Sequence, residues 1–474
     1  MTSSFHEHYE LQKTQGLKME DCTHEAILYD PSPHVRESHY SRPSARQRII
    51  AAERTGSSEE QRMLVTNTGL FNNSAAFPAP LVLPDDDLAD DPEPWPQTFM
   101  DWREERNEVT EDRRTIYLVN GPAVHDSVHH LRRWSHVGDG KKTGIEAMSL
   151  DIQDLKTYTG AFYYGMKTSV SSLEFEWRAW DEGKGKAYDG APLKSGTQRR
   201  LVGLKTPSDE LIGIRCRKSP DGVSRMQVNL DDVLDALAEN IPKDAYAVLM
   251  VMDLDMYEND DGEEIFTGGR AYGGSRIAVV STFRDRLFIG DGHSWPSSHC
   301  AAYVSSMCGR SIPKSKTSSG TAKSSQPGPM KKAVDAVGHL RKADQGRQVV
   351  GYVEWLSRVA QTITHELGHC FGLDHCVYFA CTMQGCGSTA EALRQPPYLC
   401  PVCLEKLASA IGDTIVGEWN SAGHQHIISQ KREFVKQRYQ AIKSVCDGWI
   451  QAKPSSPMFT GHSAWIEGIL ELDK

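Results

Sequence analysis

The chain has 474 residues, of which 39% are hydrophobic and 24% charged, and it carries a formal net charge of −10. That length holds two or three ordinary domains, and an acidic balance gives no electrostatic ground for a nucleic-acid partner. No run of about 18 apolar residues suggests a membrane-spanning helix, and the start of the chain lacks the apolar stretch of a secretory leader. The expected setting is therefore intracellular, cytoplasmic or nuclear, with the eleven cysteines reduced.

Residues 1–77 have scattered charge, Ser and Pro without a sustained period, which predicts a disordered tail. Pro78 to Pro96, with Asp85, Asp86 and Asp87 in a row, is expected to be an extended, solvated lead-in. Ordered structure is expected from Thr115, where Thr-Ile-Tyr-Leu-Val forms a strand stopped by Asn120-Gly121-Pro122. His125, His129 and His130 follow, without a Cys or carboxylate at ligand spacing, so a metal role is disfavoured. Glu210 to Arg217 alternates as a strand, and Asn229 offers an N-cap to a helix through Val233, Leu234 and Leu237. Ala245 to Met252 reads as a buried central strand and Arg276 to Phe283 as another, so the elements alternate as in an α/β layer.

Residues 312–346 are rich in Ser, Lys, Gly and Pro. They are expected to be a flexible insertion, with a basic docking segment as the alternative. Val353, Leu356, Val359, Ile363 and Leu367 then line one face of a helix, and that helix carries His365-Glu-Leu-Gly-His369. Histidines four apart project from one face and can share a zinc. Gly372 permits a turn that returns His375 as a third ligand, which leaves a fourth position open for water. Glu366 is then placed to act as general base on the zinc-activated water. Downstream, Cys376, Cys381, Cys400 and Cys403 offer two pairs of thiolates, the pattern of a closed structural zinc site over residues 376–403. A redox dithiol is the alternative for the Cys-Pro-Val-Cys pair, and Cys386 lies close enough to compete as a ligand.

The run from His365 to Met383, H-E-x-x-H-x-x-G-x-x-H-C-x-x-x-x-C-x-M, followed by C-x-x-C at Cys400 to Cys403, resembles the archaemetzincins of eukaryotic type. These are a branch of the metzincin zinc metallopeptidases. Weaker likeness at Trp95 to Phe99 and Arg113 to Tyr117 extends the resemblance over roughly 78–450. By resemblance, Met383 is the Met-turn residue under the zinc site; on its own it is a core methionine. The implied fold is α/β (α+β): a twisted mixed sheet, an active-site helix and a smaller C-terminal helical part carrying the Cys₄ zinc. The catalytic domain is expected to span 78–450, with 451–474 a C-terminal tail. In metzincins an edge strand pairs with extended substrate, and order along the chain points to Arg276 to Phe283.

The expected function is hydrolysis of peptide bonds in peptides or proteins, aminopeptidase-like cleavage included, with two zinc ions, one catalytic and one structural. The alternative is a zinc-stabilised peptide-binding module with little or no turnover, which would have no need of Glu366. Neither nucleic acid nor membrane is an expected partner.

Overall fold

The structure is a computed structural model that describes residues 32–53, 73–135, 149–181, 183–187, 200–258, 265–287, 294–308, 328–343, 351–415, 424–452 and 456–472. Its centre is a five-stranded sheet built from β1 (Thr115–Asn120), β3 (Lys167–Val170), β9 (Ala245–Met252), β11 (Gly269–Tyr272) and β12 (Ile277–Ser281). The order is β11-β12-β9-β1-β3. The pairs are parallel except β11 with β12, which is antiparallel. A second, mixed sheet runs β10-β8-β7-β6-β4-β2, with β5 paired to β7; its strands are β2 (Ala123–Val124), β4 (Glu176–Arg178), β5 (Lys186–Ala187), β6 (Arg200–Lys205), β7 (Leu211–Arg217), β8 (Gln227–Asn229) and β10 (Met256–Tyr257).

The central sheet is buried on both faces, which explains the unbroken apolar run of β9. Ala247, Leu249, Ile116, Leu118, Ala278 and Val280 face a core shared with the helices. Val248, Met250, Ile277 and Val279 face a second core, closed by the other sheet and by Leu230, Val233, Leu234 and Leu237. Those leucines belong to a helix over Leu230–Ala238 that starts as expected, with Asn229 accepting a hydrogen bond from the Asp232 N–H.

The principal helices on the first core are α1 (Ala45–Ala51), α2 (Phe99–Glu105), α3 (Ile152–Phe162), α4 (Pro329–Ala343), α5 (Tyr352–Cys370), α6 (Pro401–Ile415), α7 (His424–Ala452) and α8 (Pro457–Leu472). The stripe Val353, Leu356, Val359, Ile363 and Leu367 is buried, and through it α5 lies across β11, β12 and β9. No helix among the described residues is long and apolar enough to cross a membrane.

Four expectations give way to a different arrangement. β12 is an interior strand, all five of its residues buried between β11 and β9; the edge is the four-residue Gly-Arg-Ala-Tyr strand β11, too short to show a period. The N-terminal region is docked at its described residues. Tyr40 donates to the Val377 carbonyl at 2.6 Å, Arg42 Nε donates to the Tyr378 carbonyl at 2.8 Å, and the Phe77 ring packs edge-on against Phe379, Tyr398 and Trp465. The acidic lead-in is only partly solvated, for Asp86 is buried in an ion pair with Arg394 and Leu88 joins the core. Finally, part of the expected insertion and most of the expected C-terminal tail are helices packed on each other. Met330, Ala333, Val334 and Val337 of α4 and Phe459, Trp465, Ile466 and Ile469 of α8 are buried. Their spacing is helical but is diluted by Lys, Gly and Ser. Residues 312–327 and 344–346 of the insertion lie outside the described residues.

Candidate metal centres and active site

On α5 the two histidines of the helix face converge, His365 Nε2 and His369 Nε2 standing 3.1 Å apart. Their other nitrogens are committed. His365 Nδ1 lies 2.7 Å from the Thr382 carbonyl and His369 Nδ1 2.7 Å from the Leu373 carbonyl. A carbonyl only accepts, so both Nδ1 atoms carry the proton and both Nε2 atoms present lone pairs. Two lone pairs at that distance repel unless a cation lies between them. Two nitrogens ~2.05 Å from a tetrahedral zinc stand about 3.3 Å apart. The donor set therefore fits the metal.

After Cys370 the helix must stop and reverse, and Gly372 does this with φ +77°. The reversed chain brings His375 in, its ring centroid 5.4 Å from that of His365 and 5.1 Å from that of His369. The three imidazoles offer ligand atoms all within 4.8 Å of one another. Burial, reinforced by the neighbouring rings, depresses His365 well below the usual imidazole value, and burial holds His369 at about 4. Both are thus neutral, the form that binds metal. Met383 packs directly against α5 between the two histidines: a Cβ on Gly368 would lie 2.3 Å from its sulfur.

Glu366 projects from the adjoining side of α5 toward β11 and is 7% exposed. A Cβ placed on Gly269 of that edge strand would meet its Oε1 at 3.3 Å. Burial raises the carboxyl to about 8, with Arg270 opposing and Glu258 adding to the rise. Arg270 is itself 2.9 Å from Glu258 in an ion pair.

The second cluster lies behind the first. Cys376, Cys381, Cys400 and Cys403 are all buried, with Sγ atoms within 4.8 Å of one another. Cys376 Sγ and Cys400 Sγ are 3.5 Å apart, too far for a disulfide at ~2.05 Å and near the about 3.8 Å of thiolates around a tetrahedral zinc. The Cys400 N–H donates to Cys381 Sγ at 3.2 Å, as suits a sulfur carrying negative charge. Burial and hydrogen bonds to Cys376 and its neighbours push Cys400 well up. At Cys376, by contrast, burial is outweighed by hydrogen bonds from Cys381, Cys400 and Cys403 that hold it well down, so the cluster favours negative charge on the Cys376 sulfur.

Across this region, residues 352–409 match the family model of peptidase family M54, so the match spans both ligand clusters and the helix between β11 and the turn. The chain is 29% identical over 201 residues to human archaemetzincin-2, covering 42% of this chain and 47% of that protein. It is also 50% identical over 66 residues to archaemetzincin-2 of Pongo abelii, covering 14% of this chain and 18% of that protein. The chain is similar to the archaemetzincins and, over residues 352–409, to peptidase family M54. With human archaemetzincin-1 it shares 29% identity over 231 residues, 47% of this chain and 40% of the relative. It spans about half the length of the curated relatives it matches over longer stretches. The solved archaemetzincin of Methanopyrus kandleri overlaps 64% of this chain and 97% of its own, at 16% identity and a TM-score of 0.30.

The residues singled out from the sequence fall into two groups among the described residues. The three histidines converge with Glu366 beside them, and the four cysteines converge separately. Cys386 is outside the cysteine group, its Sγ donating to the Ser388 carbonyl at 3.0 Å, and Cys370 is buried on α5 among apolar neighbours. His125 lies 2.9 Å from Ser127 Oγ, and the two clusters above are the metal-competent groups among the described residues. Sequence reasoning did not reach the carbonyls of Thr382 and Leu373, which leave no mark on residue type. It also passed over Gln97, whose only signal was the family-like Trp95 to Phe99 segment.

Proposed function

We propose that the chain is a zinc metallopeptidase in which His365, His369 and His375 hold a catalytic zinc and Glu366 is the general base. Cys376, Cys381, Cys400 and Cys403 would hold a second, structural zinc. The observation that carries the reading is the pair of Nε2 lone pairs held 3.1 Å apart with their Nδ1–H groups tied to backbone, which suits a cation and little else. Zinc, when bound there, supplies a Lewis acid that acidifies water and favours negative charge on a carbonyl oxygen.

The chain's own residues do the remaining work. Thr382 and Leu373 fix ring orientation and keep the imidazoles in the metal-binding tautomer. Glu366, buried and made basic by its surroundings, takes a proton from the attacking water and returns it to the leaving amine. Among the described residues β11 leaves one edge unpaired beside Glu366, so an extended peptide can add there as a further strand. The buried wall of β12 and α5 excludes bulk water from one side of that edge.

The test is turnover of a broad peptide library, read by mass spectrometry, with metal quantified in the same preparations. Wild type should hold two zinc ions. Glu366→Gln should keep both and lose roughly 10²–10⁴-fold in rate; His369→Ala should keep only the cysteine-bound zinc. New termini in the products separate internal from aminopeptidase-like cleavage. Equal cleavage by all three proteins would remove the peptidase reading.

A further inference from the structure

Gln97 lies 4% exposed beneath the turn that follows α5, and each polar group of its side chain is engaged. Its Nε2 donates to the Gly372 carbonyl at 2.9 Å, and its Oε1 accepts from the Asp374 N–H at 3.2 Å. Lys406 Nζ donates to the same Oε1 at 2.6 Å and to the Gln97 carbonyl at 2.8 Å. The ammonium has only donors, so it settles which end of the amide is oxygen. Lys406 is 3% exposed and stands three residues beyond Cys403 on α6.

The turn so gripped is short and carries much. The Gly372 carbonyl and the Asp374 N–H flank Leu373, whose carbonyl orients His369, and His375 comes next. One amide thus governs two of the three histidines of the cluster, and one lysine links that amide to the helix rooted in the cysteine cluster.

We propose that Gln97 and Lys406 are a positioning pair that holds the Gly372 to His375 turn in register with the cysteine-bearing helix. The inference rests on the zinc reading above. Neither residue touches substrate or metal; the pair acts through the backbone of the turn. Loss of a partner that orients a ligand typically weakens metal binding 10–100-fold.

The full chain, loaded with zinc, is challenged with graded chelator and its retained zinc counted, with His369→Ala giving the curve of the cysteine site alone. Gln97→Met and Lys406→Met should each loosen the histidine-bound zinc about 10–100-fold while the other zinc stays. The double variant should be little worse than the worse single one, because both act through one amide. Trp355→Phe, which removes a buried hydrogen bond of 2.9 Å to the Thr282 carbonyl on another face of α5, should lower the melting temperature without loosening zinc. If Gln97→Met does not fold, Gln97→Glu replaces it: this keeps the acceptor for Asp374 and Lys406 and turns the donor to Gly372 into an oxygen that repels its carbonyl. The inference is overturned if the variants hold both zincs as wild type does, or if zinc loss merely follows melting temperature across all variants. If wild type itself matches the His369→Ala curve, the zinc reading falls first and this inference with it.

Discussion

Gly372 is the residue on which the histidine cluster turns. Its φ of +77° is a conformation that costs an ordinary side chain roughly 1–2 kcal/mol. The room is also limited, for a Cβ there would lie 3.3 Å from Arg106 Cα and 3.5 Å from Trp102 Cδ1. Gly372→Ala should therefore lower the unfolding free energy by about 1–3 kcal/mol, measured by denaturant titration of the zinc-loaded protein. It should also weaken zinc retention, because His375 lies three residues on. A variant as stable as wild type, with zinc unchanged, would show that the turn accommodates a side chain and that its geometry is not what places His375.

At the scale of elements, what the sequence showed was local. The histidine pair His365 and His369, the turn at Gly372 and the paired cysteines declare themselves within forty residues, because ligand spacing and helical period are short-range properties. The strands β1, β7 and β9 were legible for the same reason, each being a strong apolar or alternating run. The edge position of β11 was not, since edge or interior depends on pairing with a strand elsewhere in the chain. Nor was the role of α8, whose apolar residues are spread among Gly, Ser and Glu and find their partners in distant segments. Trp465 stacks on Tyr398 at 4.2 Å between centroids and donates its indole N–H to the Ala76 carbonyl at 2.9 Å. Tyr398 is two residues from Cys400, so α8 seals the core next to the cysteine cluster. Trp465→Ala should cost about 3–5 kcal/mol, seen as a lowered denaturant midpoint. A cost below 1 kcal/mol would mean that α8 is an appendage, as the sequence alone had suggested.

At the scale of the whole molecule, the joint between the N-terminal segment and the cysteine-bearing loop makes stability depend on pH. Arg394 pairs with buried Asp86 from the N-terminal side, and its carbonyl lies 3.2 Å from His299 Nε2. His299 is buried and lowered to about 4, chiefly by burial, with the bond to the Arg394 carbonyl opposing and the charge of Arg394 adding to the fall. An unfolded histidine titrates near 6.5. Between about pH 6.5 and 4 the unfolded chain therefore binds more protons at this position than the folded one, so stability rises with pH across the window and is lost as pH falls. Below about pH 4 the full penalty is in place, on the order of 3 kcal/mol for this shift. His299→Gln keeps an N–H for the Arg394 carbonyl but cannot take up a proton. At pH 7 it should be slightly less stable than wild type; at pH 4.5 the difference should have moved in its favour by roughly 2–3 kcal/mol. The comparison is made on zinc-loaded protein by denaturant titration at both pH values. Protonation of the metal ligands weakens both proteins alike and drops out of the difference. A gap between variant and wild type that is the same at pH 7 and pH 4.5 would place the acid sensitivity elsewhere, with the metal ligands themselves the next groups to test.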